Sequence, residues 1–156
     1  MDEVVIKYYR NLLKADFPNS GELDHPSIFT EAVGEKLINC GNTGNYMQLF
    51  LQVSGSRIME IKYLCSCEPT ANVAVEVLCL LVKGKTFEEA TSITEESFYQ
   101  YLQSRDEKFK QKVRGLLELL NKGVARYLDP ATGNSNPQLS DQKNRSKTSW
   151  DGTLST

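Results

Sequence analysis

Three of the four cysteines are spaced so that they could act together. Cys65-Ser66-Cys67 sets two thiols one residue apart, and Cys40 stands in the Gly- and Asn-rich segment Asn39-Cys40-Gly41-Asn42-Thr43-Gly44-Asn45. Soft thiolates suit an iron–sulfur cluster or zinc. The Cys-x-Cys pair falls just past an expected strand and just before an expected helix, whose amino end would favour the thiolate and raise both nucleophilicity and metal affinity. If the loop around Cys40 meets that turn in space, three sulfurs converge. A Cys-x-Cys without the second pair of a zinc ribbon or ferredoxin also fits small, partly buried apolar residues, so both readings stand. Cys79, set among Leu78, Leu80 and Leu81, reads as a core residue.

Other chemistry finds less support. His25, between Asp24 and Pro26, reads as an exposed loop histidine, although imidazole can bind iron or zinc. It is the sole histidine, so nucleophilic catalysis by a Ser/His/Asp or Cys/His set has one base to draw on and no supporting motif. Gly84-Lys85-Thr86 imitates the end of a phosphate-binding loop, but the first glycine of that motif would fall on Cys79, inside a helix. Gly41-Asn42-Thr43-Gly44 lacks dinucleotide spacing. Glu88-Glu89 and Glu95-Glu96 lie at helix starts and read as charges that complement the helix dipole.

The elements that must position these residues follow from hydrophobic period. Val4 to Leu13 has apolar residues at helical spacing, and Pro18-Asn19-Ser20-Gly21 breaks that helix into a polar loop running from about Phe17 to Ser27. Tyr46 to Val53 is rich in strand formers, with Met47, Leu49, Leu51 and Val53 on one face. Ser54-Gly55-Ser56 is a tight turn. Arg57 to Leu64 is the partner strand, with Met59, Ile61 and Tyr63 on one side and Glu60 and Lys62 on the other, so an antiparallel hairpin is expected. Glu35 to Asn39 is the candidate third strand. Thr70 opens a helix that Gly84 stops, with Ala71, Ala74, Val75, Leu78, Leu81 and Val82 on its apolar face. Thr86 starts a short helix, Thr94 another. Asp106 to Tyr127 makes a long last one with Val113, Leu116, Leu117, Leu120 and Val124 inward. Strands followed by helices predict an α+β fold.

At 156 residues and 40% hydrophobic content the chain can bury a core without disulfides or metal. Its 18 basic and 20 acidic residues leave a net charge of -2, a poor footprint for nucleic acid. The charged amino terminus lacks a secretory apolar core, and the longest apolar stretch, Val77 to Val82, is too short for a bilayer, so a soluble cytoplasmic protein without membrane or nucleic-acid partners is expected. In that compartment cysteines serve as thiols or metal ligands rather than disulfides. Residues 129–156 are rich in Ser, Thr, Asn, Gln, Asp and Lys, which predicts a disordered tail after a domain of residues 1–128.

Over about residues 1–128 the chain resembles the iron–sulfur scaffold proteins of the NifU/IscU type. Phe17-Pro18-Asn19-Ser20-Gly21-Glu22-Leu23 looks like the family's early Asn-Pro-x-x-x-Gly segment, and Met47 to Val53 with Arg57 to Tyr63 is similar to its first hairpin. Val82-Lys83-Gly84-Lys85-Thr86-Phe87-Glu88-Glu89-Ala90 is the closest match, to a Lys-Gly-Lys-Thr-x-Glu-Glu-Ala stretch after the central helix. The resemblance implies a SufE/NifU-like α+β fold, a small antiparallel sheet of about three strands covered on one face by helices. It also implies a scaffold or carrier rather than an enzyme. Such a scaffold assembles a cluster, expected as 2Fe-2S, from iron and the persulfide of a cysteine desulfurase, and passes it to recipient apoproteins.

Three cysteines and an aspartate normally make that assembly site, and this chain departs from the pattern. The family's Cys-Gly-Asp falls on Thr43-Gly44-Asn45 when counted back from Met47 without gaps, or on Cys40-Gly41-Asn42 after a three-residue shift. Cys67-Glu68-Pro69-Thr70 resembles Cys-Gly-Pro-Thr, although the ungapped count lands on Glu68. The third cysteine is expected near Gln111 or Lys112, where there is none. One reading makes Cys40, Cys65 and Cys67 a rearranged ligand set for the cluster. Others make the chain a zinc-binding sulfur relay in which Cys67 accepts persulfide, or a metal-free binding module of the same fold.

Overall fold

A computed structural model describes residues 2–33, 45–66 and 69–130. Along the chain these form α1 (Glu3–Ala15), β1 (Ile28–Val33), β2 (Tyr46–Ser54), β3 (Arg57–Cys65), α2 (Pro69–Val82), α3 (Phe87–Thr91), α4 (Glu95–Leu102) and α5 (Glu107–Leu128). The strands make an antiparallel sheet in the order β1-β2-β3, so the architecture is the expected α+β one. Contacts divide the chain into two units, Met1–Val124 and Ala125–Thr156. The described part of the second holds only the end of α5 and the two residues after it. Among the described residues no helix is long and apolar enough to cross a membrane.

The hairpin of β2 and β3 forms where alternation placed it, and Gly55 takes the left-handed φ of 64° that its turn needs. One residue departs from expectation. Ile58, not Met59, faces the core: Ile58 is fully buried and Met59 is 50% exposed. The cause is a bulge between Gln52 and Val53. Gln52 pairs with Glu60 while Val53 pairs with Ile58, so Met59 is the extra residue and the side-chain alternation slips by one.

The third strand lies at Ile28–Val33, pairing Ile28 with Leu51 and Ala32 with Met47. The stretch Glu35 to Asn39, where a strand was expected, lies outside the described residues. Ile28, Thr30 and Ala32 join Met47, Leu49, Leu51, Ile61 and Tyr63 on the buried face of the sheet. The opposite face carries the Phe29–Phe50 ring pair, 5.2 Å between centroids, and the Gln48–Glu31 hydrogen bond.

Helix α2 packs against α1, α4 and β3. Its burial exceeds the single apolar face that the sequence suggested, because Val73, Val77 and Cys79 are fully buried as well. A helix apolar on nearly all sides belongs inside a core. Helix α5 approaches β1 through Gly123, where an added Cβ would lie 3.2 Å from both Ile28 Cγ2 and Thr30 Cβ. The absence of a side chain on the α5 partner is what this contact requires.

Candidate functional site

Cys65 is the last residue of β3, and it pairs across the ladder with Met47. Side chains alternate along a strand, so Cys65 shares the buried face of the sheet with Ile61 and Tyr63 and packs against the core, half-buried. The ladder continues one step past it. Ser66 donates its N–H to the Tyr46 carbonyl at 3.1 Å, and its Oγ accepts from the Tyr46 N–H at 2.9 Å. The Ser66 hydroxyl lies 3.5 Å from Asn45 Oδ1. Helix α2 then starts at Pro69, a residue suited to a first helical position because it has no N–H to leave unsatisfied.

Cys40, Cys67, Thr43 and Glu68 lie outside the described residues. Of the expected ligand set, therefore, the structure places Cys65 alone. It also places two residues where family ligands were expected. Asn45 stands beside Ser66, and Lys112, on the second turn of α5, is buried at 3% exposure while its neighbour Gln111 is exposed. A buried ammonium is unusual enough to mark the inward position of that helix. Among the described residues no group of three or more His, Cys, Asp or Glu is placed to hold a metal ion.

The remaining candidates fall as expected. Cys79 is fully buried in α2, and burial pushes its thiol well above the ordinary range, with the charge of Glu76 adding to the effect. His25 is exposed, in a left-handed conformation with φ 54°. A small cleft lined by Glu96, Tyr99, Ser104, Arg105, Lys110 and Val113 includes no cysteine.

Two features are absent from the sequence reading. The first is the work of Lys83-Gly84-Lys85-Thr86. Gly84, at φ 84°, donates its N–H to the Ile58 carbonyl, and the Lys85 carbonyl accepts from the Ile58 N–H, both at 2.8 Å. Arg57 Nη1 reaches the Gly84 carbonyl at 2.6 Å, and Phe87 N–H the Ser56 carbonyl at 2.9 Å. Thr86 and Glu89 cap α3 reciprocally. The motif is thus a fastener that closes the outer edge of β3 and ties the end of α2 to the hairpin. It is no phosphate cradle.

The second is Glu76, in the middle of α2 and only 1% exposed. Its carboxylate accepts from Tyr63 Oη at 2.8 Å, from Asn19 Nδ2 at 2.8 Å and from the Asn19 N–H at 3.3 Å. A buried carboxylate is expected to be paired or hydrogen-bonded in this way. Periodicity could not have shown it, because its partners lie in a distant loop and strand. The one available signal was a glutamate inside an otherwise apolar helix.

No curated protein matches the chain. Among solved structures it is similar to a protein assigned as an iron–sulfur cluster assembly scaffold for the SUF system of Fervidobacterium islandicum AW-1. That likeness has a TM-score of 0.49 and 16% identity over 81% of this chain and 85% of that one. It is also similar to the N-terminal part of a nitrogen-fixing NifU-like protein of Brucella abortus, with a TM-score of 0.47 and 12% identity over 90% and 94%. The model of the NifU-like N terminal domain family matches residues 3–132, nearly the whole described fold, and the chain belongs to that family.

Proposed function

We propose that the chain is an iron–sulfur cluster assembly scaffold or carrier that holds a nascent cluster on Cys40, Cys65 and Cys67 for transfer to recipient apoproteins. The observation that carries this reading is the family match over residues 3–132. What the fold adds is the place of Cys65, half-buried at the end of β3 and two positions before Cys67 in the sequence. Thiolates are the ligands such a cargo needs. The cluster is cargo rather than a resident cofactor, with iron as one input and the persulfide sulfur of a cysteine desulfurase as the other. The proposed compartment is the cytoplasm.

The test is anaerobic reconstitution of the full chain with ferrous iron, cysteine, a cysteine desulfurase and an excess of a dithiol that reduces the persulfide sulfur to sulfide, followed by iron and sulfide analysis and a visible spectrum. The expected product absorbs in the visible region and contains both elements, and Cys65→Ser and Cys67→Ser each abolish it. A colourless product that holds zinc, with added sulfur found on Cys67 by mass spectrometry, would replace the scaffold by a sulfur relay. A product with neither metal nor added sulfur would leave a binding module.

A further inference from the structure

Glu76 lies in the interior yet none of the chemistry above uses it. A buried carboxylate is a costly way to fill a core, and apolar packing of the same volume is often no less stable. Its three hydrogen bonds suggest what it does instead. It accepts two from Asn19 and the third from Tyr63. Asn19 and its neighbours in turn hold the backbone of Tyr63: the Tyr63 N–H donates to the Asn19 carbonyl at 3.2 Å, and the Gly21 N–H donates to the Tyr63 carbonyl at 2.8 Å. Ser20 and Tyr63 thereby form a parallel bridge on the edge of β3 away from β2. Tyr63 is gripped through its phenolic hydroxyl, both of its backbone polar groups and its place opposite Leu49.

The grip comes from a strained segment. Asp16 and Phe17, two consecutive residues other than glycine, are both left-handed, with φ 59° and 46°. Such conformations persist where the surroundings over-determine them. Here the Phe17 N–H is tied back to the Leu12 carbonyl at 3.0 Å, and the Phe17 ring packs against Tyr9 with 5.8 Å between centroids. On the other side, Asn19 is tied to Glu76. Cys65 is the next residue after Tyr63 on the same face of the strand.

We propose that Glu76 is a positioning residue for the assembly site, locking residues 16–21 onto β3 and so fixing the exposure and direction of the Cys65 thiol. This role rests on the reading of Cys65 as a ligand for its purpose, but not for its geometry. The experiment compares the full-length wild-type chain, Glu76→Gln and Tyr63→Phe in the metal-free, reduced state. Each is alkylated with iodoacetamide, and tandem mass spectrometry assigns the adducts to individual cysteines.

Losing a buried hydrogen bond to a charged group raises local opening by about tenfold. Cys65 is therefore expected to react about tenfold faster in both variants, while buried Cys79 stays protected. A rate at Cys65 that does not change overturns the proposal. So does a parallel rise at Cys65 and Cys79, which marks general loosening of the core. If Glu76→Gln does not fold, Tyr63→Phe, which removes one hydroxyl, decides alone. The two readings separate cleanly: faster alkylation of Cys65 together with normal cluster assembly by Cys65→Ser keeps the positioning role and removes the ligand role.

Discussion

Cys79 has none of its surface exposed, whereas Cys65 is half-buried at a strand end. The two thiols should differ sharply in native alkylation, with Cys79 inert until the protein is denatured. Modification of Cys79 at the rate of a small-molecule thiol would contradict its packing. A milder electrostatic effect is found at Glu60. Partial burial pushes its carboxyl up, but the hydrogen bond and charge of Lys83, 3.2 Å away, together with the Ile61 N–H, bring it below its ordinary value of 4.5. A depressed carboxyl contributes stability that is present above pH 4.5 and fades as the pH falls through its lower folded value. Lys83→Met should return Glu60 towards 4.5 in an NMR titration and flatten that part of the stability curve. Both side chains are at least a third exposed, so the loss at neutral pH is about 0.5 kcal/mol. At this scale the sequence was legible where a residue's neighbours are local, as with Cys79 inside its leucine run. It was silent on Glu76, whose partners are 13 and 57 positions away.

Among the elements, the hairpin and the helices α2 to α5 could be read from period and caps, because those signals are carried within each segment. β1 could not. Its inward residues, Ile28, Thr30 and Ala32, shrink along the strand, so Ile28-Phe29-Thr30-Glu31-Ala32-Val33 shows no clean alternation. Its place is fixed by tertiary contact instead: α5 comes so close at Gly123 that an added Cβ would lie 3.2 Å from Ile28 and Thr30. Gly123→Ala should therefore destabilise the protein, by about 1–3 kcal/mol in denaturant unfolding, since Ile28 and Thr30 would have to give way. The bulge at Met59 was equally hidden, since it is a matter of pairing between strands, and beside it the Gly84 and Lys85 backbone meets Ile58. That junction offers its own test. Gly84→Ala meets no steric neighbour, so its cost is the left-handed backbone alone, about 1 kcal/mol. Thr86→Ala removes the α3 cap for a similar loss of about 1 kcal/mol. The two residues serve one junction, so the double variant should fall short of the sum of the two.

At the scale of the whole chain, the described core runs from Val5 to Val124 and draws on every element. The four cysteines fall within that span of sequence, and so do Glu76, Tyr63 and the fastener of residues 83–89. Residues 131–156 contribute Leu139, Trp150 and Leu154 as their only large apolar side chains, and the prediction for them is one of composition. A chain ending at Pro130 should then melt within about 2 °C of the full chain, because a change of 1 kcal/mol moves the midpoint of a protein this size by only a few degrees. It should also assemble a cluster to the same iron and sulfide content, since every proposed ligand is retained. A fall of about 5 °C or more would show that residues 131–156 pack on the fold. An unchanged melt with lost assembly would place part of the function in those residues, and would make the terminal segment, rather than Cys65 at the end of β3, the next place to look.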